Sequence, residues 1–243
     1  MIARLKAFLI HLLISTCIAV AVIGVVFFVW YPAPLHTATG VTQIFLLLLT
    51  VDVVLGPLLT LIVYKTGKKT LIMDLTIIAL LQLGALSYGV WTVAEGRPAW
   101  LVFGADRFEL VRVPDIDQRN IGTHYLYSSP AWTGPQWVGA ANPIDLNARN
   151  DIIFESVSGG FDIYQRPNLY RPLQEMTASI QKYAQELSLL NEFNDDSDVQ
   201  NAVKKYPAAT AWLPLRAKDQ NMVVLINKET AQVIAIVDLK PWD

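Results

Sequence analysis

The first 94 residues contain three almost uncharged apolar runs, 7–30, 41–64 and 71–94, each 24 residues long. A bilayer core of roughly 30 Å takes about 20 helical residues at about 1.5 Å rise each, so every run is long enough to span. From Glu95 onward the chain reads as an ordinary soluble domain. The sequence therefore predicts a membrane protein. A region of three transmembrane helices, 1–96, is followed by one extracytoplasmic domain, 97–243, large enough to bury a core of its own.

Charge follows the same division. Residues before Glu95 carry five cations and two anions, whereas the remainder carries 14 cations and 19 anions. The acidic balance of the second part argues against a nucleic-acid partner. Arg4 and Lys6 precede the first run, Lys65, Lys68 and Lys69 fill the loop between the second and third, and the loop 31–40 has no cation. Positive residues favour the cytoplasmic side. This predicts a multi-pass membrane protein with a cytoplasmic N-terminus, an outer first loop and an exported C-terminal domain, with lipid around the spans; in a Gram-negative bacterium that places the chain in the cell inner membrane and its domain in the periplasm. Phe27, Phe28, Trp30, Tyr31, Tyr88 and Trp91 cluster at the predicted outer ends, where amphipathic rings are favoured.

The first run continues 13 residues past Cys17 and is longer than the apolar region of a secretory signal, so it is expected to stay as an anchor. Cys17 is the only cysteine. The exported domain must then be stable without a disulfide, although its compartment permits one.

Polar residues within hydrocarbon are costly and usually face another helix or a cavity. Asp52 lies 13 residues from Lys65, and Gln82 lies 13 residues from Lys69, about 20 Å from the inner surface by helical rise. His11 and Asp74 each lie five residues from a lysine, about 7–8 Å deep. Two layers are predicted, Asp52 with Gln82 and His11 with Asp74, with Ser15, Thr16, Thr50, Thr60 and Ser87 able to add interhelical hydrogen bonds. One reading is polar contacts that fix helix register or dock a partner. The other is a proton or ion path. Three spans without a visible inverted repeat favour the former. Gly56-Pro57, one turn beyond Asp52, predicts a helix kink.

In the exported domain, Trp100-Leu-Val-Phe103 and Arg107-Phe-Glu-Leu-Val-Arg-Val113 flank a turn at Gly104-Ala-Asp-Arg107 and predict a β-hairpin. Residues 114–150 are rich in proline and read as an irregular loop. A short helix is expected over 145–157, capped by Asp145 or Asn147 and stopped by Gly159-Gly160. Apolar residues at steps of three and four predict a helix over 172–190, and Asp195-Asp196 predicts the start of another over 196–205. Three strands are expected over 211–215, 222–227 and 232–239. This order implies an α+β domain with an antiparallel sheet.

Chemistry is scarce. His124 is the only histidine of the domain. No metal-ligand spacing, nucleophile elbow or phosphate-binding glycine motif is present. Asp195-Asp-Ser-Asp198 lacks the glycine and terminal glutamate of a calcium loop. Trp132 and Trp137 suit either a binding face or burial. Neither catalytic residues, nor metal ligands, nor a cofactor are expected, and the chain is read as no enzyme.

Several motifs then fall in order with consistent gaps. They are His11-Leu-Leu-Ile-Ser15, Trp30-Tyr-Pro32, Val51-Asp-Val-Val-Leu-Gly-Pro-Leu-Leu-Thr60, Asp74-Leu75, Leu81-Gln-Leu83 with Tyr88-Gly89, and Arg97-Pro98 through Asp106-Arg-Phe-Glu109. On these the chain resembles the type IV pilin accessory proteins of the TfpX/TfpZ group, also called FimB-like. Gln165-Arg-Pro-Asn-Leu-Tyr170 and Leu239-Lys-Pro-Trp242 match in layout. The resemblance implies a non-enzymatic, chaperone-like accessory of the inner membrane. Its partner would be a cognate type IV major pilin, with other pilus-assembly components as further partners. The alternative class is a membrane-anchored periplasmic sensor or ligand-binding module.

Overall fold

The computed structural model describes residues 2–119 and 126–242. Two compact units result, one of residues 1–36 and 40–96 and the other of residues 37–39 and 97–243.

The first unit is built on three long helices. Helix α1 (Ile2–Val25) runs into a π-helical turn, Val26–Trp30. After the four-residue α2 (Leu35–Ala38) come α3 (Val41–Val63) and α4 (Leu71–Glu95). All three long helices are long and apolar enough to cross a membrane. Most of their large apolar side chains point outward, Leu13, Leu47, Ile62 and Leu81 among them. Such surface is unfavourable in water and matches a hydrocarbon solvent. α3 packs along both α1 and α4, while the backbones of α1 and α4 come together mainly where the π-turn reaches α4. There Val26, Tyr31, Phe45, Leu86 and Val93 form a core, and the Tyr31 hydroxyl donates to the Val93 carbonyl at 2.8 Å. Leu48 rests on Gly89, where an added Cβ would lie 1.8 Å from its Cδ1.

The second unit holds strands β1 (Pro98–Gly104), β2 (Arg107–Arg112), β3 (Gln136–Ala140), β4 (Tyr170–Pro172), β5 (Ala211–Arg216), β6 (Met222–Asn227) and β7 (Gln232–Val237). Helices α5 (Leu146–Val157), α6 (Thr177–Tyr183) and α7 (Asp196–Lys205) accompany them. The seven strands form one sheet in the order β4-β3-β1-β2-β5-β6-β7. The expected β1–β2 hairpin and the β6–β7 hairpin are present and antiparallel.

The sheet as a whole is mixed, which corrects the antiparallel expectation: β1 pairs with β3 and β2 with β5 in parallel. Parallel neighbours need a long crossover, and the connections after β1 and β2 supply it. Pro214 has no N–H to give to a ladder. The β2–β5 pairing accordingly comprises only Phe108 with Leu215 and Glu109 with Arg216.

Two further expectations change. β3 lies inside the stretch read as an irregular loop, where Val138 is fully buried between β1 and β4. The helix expected over 172–190 is reduced to the seven residues of α6, between a 3-10 turn (Leu173–Met176) and a second one (Leu187–Glu192). Gln185 leaves the helix because its backbone exchanges hydrogen bonds of 2.9 and 3.0 Å with Trp212 of β5. α5 and α7 stand where the sequence placed them. Asp145 caps α5 by accepting from the Ala148 N–H at 2.9 Å, and Gly159 follows with φ +84°, a conformation that suits glycine.

Candidate functional site

Six residues of the first unit converge within the helix bundle. His11 and Ser15 lie four apart on α1, and Asp52, Gly56 and Thr60 lie at four-residue steps on α3. Each set thus occupies one helix face. Gln82 of α4 joins them.

Its amide nitrogen donates to the Ser15 hydroxyl at 3.0 Å and to the Asp52 main-chain carbonyl at 2.8 Å. Both amide hydrogens are thereby used. Its Oε1 lies 2.9 Å from His11 Nε2, and His11 Nδ1 lies 2.6 Å from the Thr60 hydroxyl. With Oε1 as acceptor, neutral His11 carries its proton on Nε2 and accepts from Thr60 at Nδ1. The chain Thr60–His11–Gln82–Ser15 ties all three helices together. Ser15 and Thr60 are each only 3% exposed, and Asp52 9%.

Gly56 makes this possible. A Cβ built there would lie 2.0 Å from Gln82 Oε1 and 2.4 Å from its Cδ. The sequence marked Gly56-Pro57 as a kink. α3 runs helical through Pro57, and the glycine serves as the seat of the Gln82 side chain. The signal was present as a small residue one turn from Asp52, on the same face. Pro57 withholds the N–H that would bond the Val53 carbonyl.

Asp74 stands apart from this group. It pairs with Lys68 at 2.6 Å and accepts from the Thr70 hydroxyl at 3.1 Å, in the first turn of α4. The two-layer expectation took Lys6 as a boundary. α1 instead begins at Ile2, and the Arg4 guanidinium reaches the Leu61 and Ile62 carbonyls at the end of α3. Counted from the helix starts, His11 lies about 14 Å in, Gln82 about 17 Å and Asp74 about 5 Å. His11 therefore meets Gln82.

Beside the network is a cleft of about 210 Å³ between α1 and α4. Ile14, Ile18, Leu83 and Leu86 contribute its apolar walls, and Asp52 of α3 lines it together with His11, Ser15 and Gln82.

In the second unit several charged groups pair with one another. Arg119 bonds both Asp117 oxygens at 2.8 Å and Glu155 at 2.5 Å. Arg166 holds the other Glu155 oxygen at 2.6 Å. The hydrogen bond from Arg119 holds the Asp117 carboxyl below its ordinary range, and hydrogen bonds from Arg119 and then Arg166 do the same for Glu155. Burial pushes Glu109 upward against the pull of Arg107 and Arg216. These bonds fasten α5 to the segment after β2.

Trp132 and Trp137 meet different partners: Arg97 stacks on Trp132 at 4.0 Å, and Trp137 meets Phe108 edge-on at 5.1 Å. His36 contacts the Thr42 hydroxyl at 3.1 Å and the Phe27 ring. His124 lies outside the described residues. Asp196 and Asp198 occupy the first turn of α7, where negative charge suits the helix dipole. Among the described residues no cluster of histidine, cysteine and carboxylate side chains is placed to hold a metal.

Residues 1–40 match the family model of the fimbrial assembly protein FimB. The fimbrial assembly protein of serogroup E1 from Dichelobacter nodosus is 30% identical over 81% of this chain and 78% of its own length. That of serogroup I from the same organism is 31% identical with the same coverage. A third, of serogroups C1 and C2, is 38% identical over 44% of this chain and 83% of the relative. No solved structure matches. With two relatives 30% and 31% identical over 81% of its length, the chain belongs to the FimB family of fimbrial assembly proteins.

Proposed function

We propose that this protein is a non-enzymatic, chaperone-like accessory of the inner membrane that supports the stability or assembly of a cognate type IV major pilin. The observation that carries this reading is the likeness to fimbrial assembly proteins over most of both chains. The three long apolar helices suit an anchor among lipids, and the cation pattern favours an N-terminus in the cytoplasm and the sheet domain in the periplasm.

The polar network also fits a scaffold better than a conduit. The bonds of His11, Gln82, Ser15 and Thr60 are made within the bundle, which is what fixing helix register requires. Deleting the gene should reduce pilin level or surface pili while pilin transcription is unchanged. The tagged chain should co-purify with the pilin from membranes. Normal pilin and normal piliation after deletion would refute the proposal.

A further inference from the structure

The donors around Asp52 are largely spent elsewhere. Both Gln82 amide hydrogens go to Ser15 and to the Asp52 main-chain carbonyl, and His11 is engaged by Gln82 and Thr60. A carboxyl group carries two oxygens able to accept. The Gln82 side chain also bonds the carboxyl, and His11 lies near it; one such bond leaves acceptor capacity on the group. Asp52 also lines the cleft between α1 and α4, at a depth where acyl chains have no hydrogen to donate.

The walls and floor of the cleft thus call for different chemistry in one occupant. Ile14 and Ile18 on one side and Leu83 and Leu86 on the other suit an apolar helix packed against α1 and α4. About 210 Å³ holds one inserted side chain, not a helix. Asp52 at the floor suits a donor on that side chain: a hydroxyl, amide, amine or guanidinium.

We propose that the cleft receives the apolar membrane-embedded segment of the fimbrial subunit that this protein serves, through a side chain that donates to Asp52. This rests on the function proposed above and adds the docking surface. Complementarity selects the occupant: lipid satisfies the walls but not the carboxyl, and water the carboxyl but not the walls.

The test uses the full chain in native membranes with its co-expressed pilin. A photoreactive residue at Leu83, on the cleft wall, is compared with one at Leu81, which faces outward from α4 at 70% exposure. Position 83 should capture the pilin about fivefold more than position 81. Asp52→Leu should lower that capture about fivefold, and Asp52→Asn, which keeps an acceptor, should preserve most of it. Ile18→Trp, which fills the cleft without touching the hydrogen bonds, should block capture at normal protein level.

Equal capture from both positions, capture insensitive to Ile18→Trp, or capture of a second copy of this chain would overturn the inference. Pilin that co-purifies but never crosslinks at position 83 would overturn it while leaving the proposed function standing. Pilin that does neither would overturn both.

Discussion

The side chain of Gln82 lies directly on Gly56, so close that no larger residue at 56 leaves room for it. A flexible amide would ordinarily move aside for a methyl group. Here it is held by His11, Ser15 and the Asp52 carbonyl, so the contact couples helix spacing to the hydrogen-bond network.

Gly56→Ala should therefore destabilise the helical unit by ~1–3 kcal/mol, the range for overpacking a filled interior. Gly84→Ala is the control, because nothing lies within 4 Å of a Cβ at that position. In detergent-solubilised protein the first variant should lower the melting temperature, and the second should leave it unchanged. Gln82→Ala should relieve part of the Gly56→Ala defect, giving a double variant less impaired than the sum of the singles.

Gln82→Leu should cost more than Asp52→Asn. The leucine removes the partner of His11, Ser15 and the Asp52 carbonyl at once, at ~0.5–2 kcal/mol for each interhelical bond. The asparagine keeps the main-chain carbonyl that Gln82 uses. Thermal melts and steady-state protein levels in membranes report the difference. A loss of piliation with asparagine as complete as with leucine, at normal protein level, would mean that the charge of Asp52 is required, and would revive the ion-path reading.

How much of this was legible depended on where each element finds its partners. α7 was readable because its determinants are local: Asp196 and Asp198 at one end, Lys204 and Lys205 at the other. The β6–β7 hairpin was readable for the same reason. The break after α6 was not, because Gln185 obeys Trp212, which lies far along the chain. β3 was hidden because it joins the sheet by parallel pairing with β1 across a long connection. In the bundle, the identities of His11, Asp52 and Gln82 stood out as costly polar residues. Their partners could not be counted from lysines alone, since helix starts and relative depth come from packing.

The sheet domain, produced from Arg97 onward, should fold without an oxidant and without added metal, and its stability should fall on acidification. Asp117 and Glu155 have folded pKa values held below their ordinary ones by Arg119. Such groups stabilise the fold above the unfolded pKa, and lose that contribution as pH falls through the folded value. Glu109 has the opposite sign, because burial raises it and its ionisation opposes folding as pH rises. Asp117→Asn should therefore flatten the acid limb of a stability–pH curve measured by urea denaturation, and lower the plateau near neutrality. An acid limb unchanged by Asp117→Asn would remove the Arg119 pairing as its cause, and a chelator-induced loss of the thermal transition would contradict the metal-free expectation.

Cations are expected to set the direction in which the chain crosses the membrane. Lys65, Lys68 and Lys69 lie between α3 and α4, Arg4 and Lys6 lie near the start of α1, and residues 31–40 have no cation. Short loops rich in Lys and Arg are kept on the cytoplasmic side, so the cationic loop is expected to stay inside. Three crossings then put Asp243 outside. A reporter active only beyond the inner membrane should work when fused after Gly40 or Asp243 and fail after Gly67. Replacing all three loop lysines with neutral residues should weaken the preference, yielding a mixed population read as partial activity of the Gly67 fusion. An inactive fusion at Asp243 in the unaltered chain would rule out the three-crossing arrangement, and with it an encounter between the sheet domain and a pilin in the periplasm.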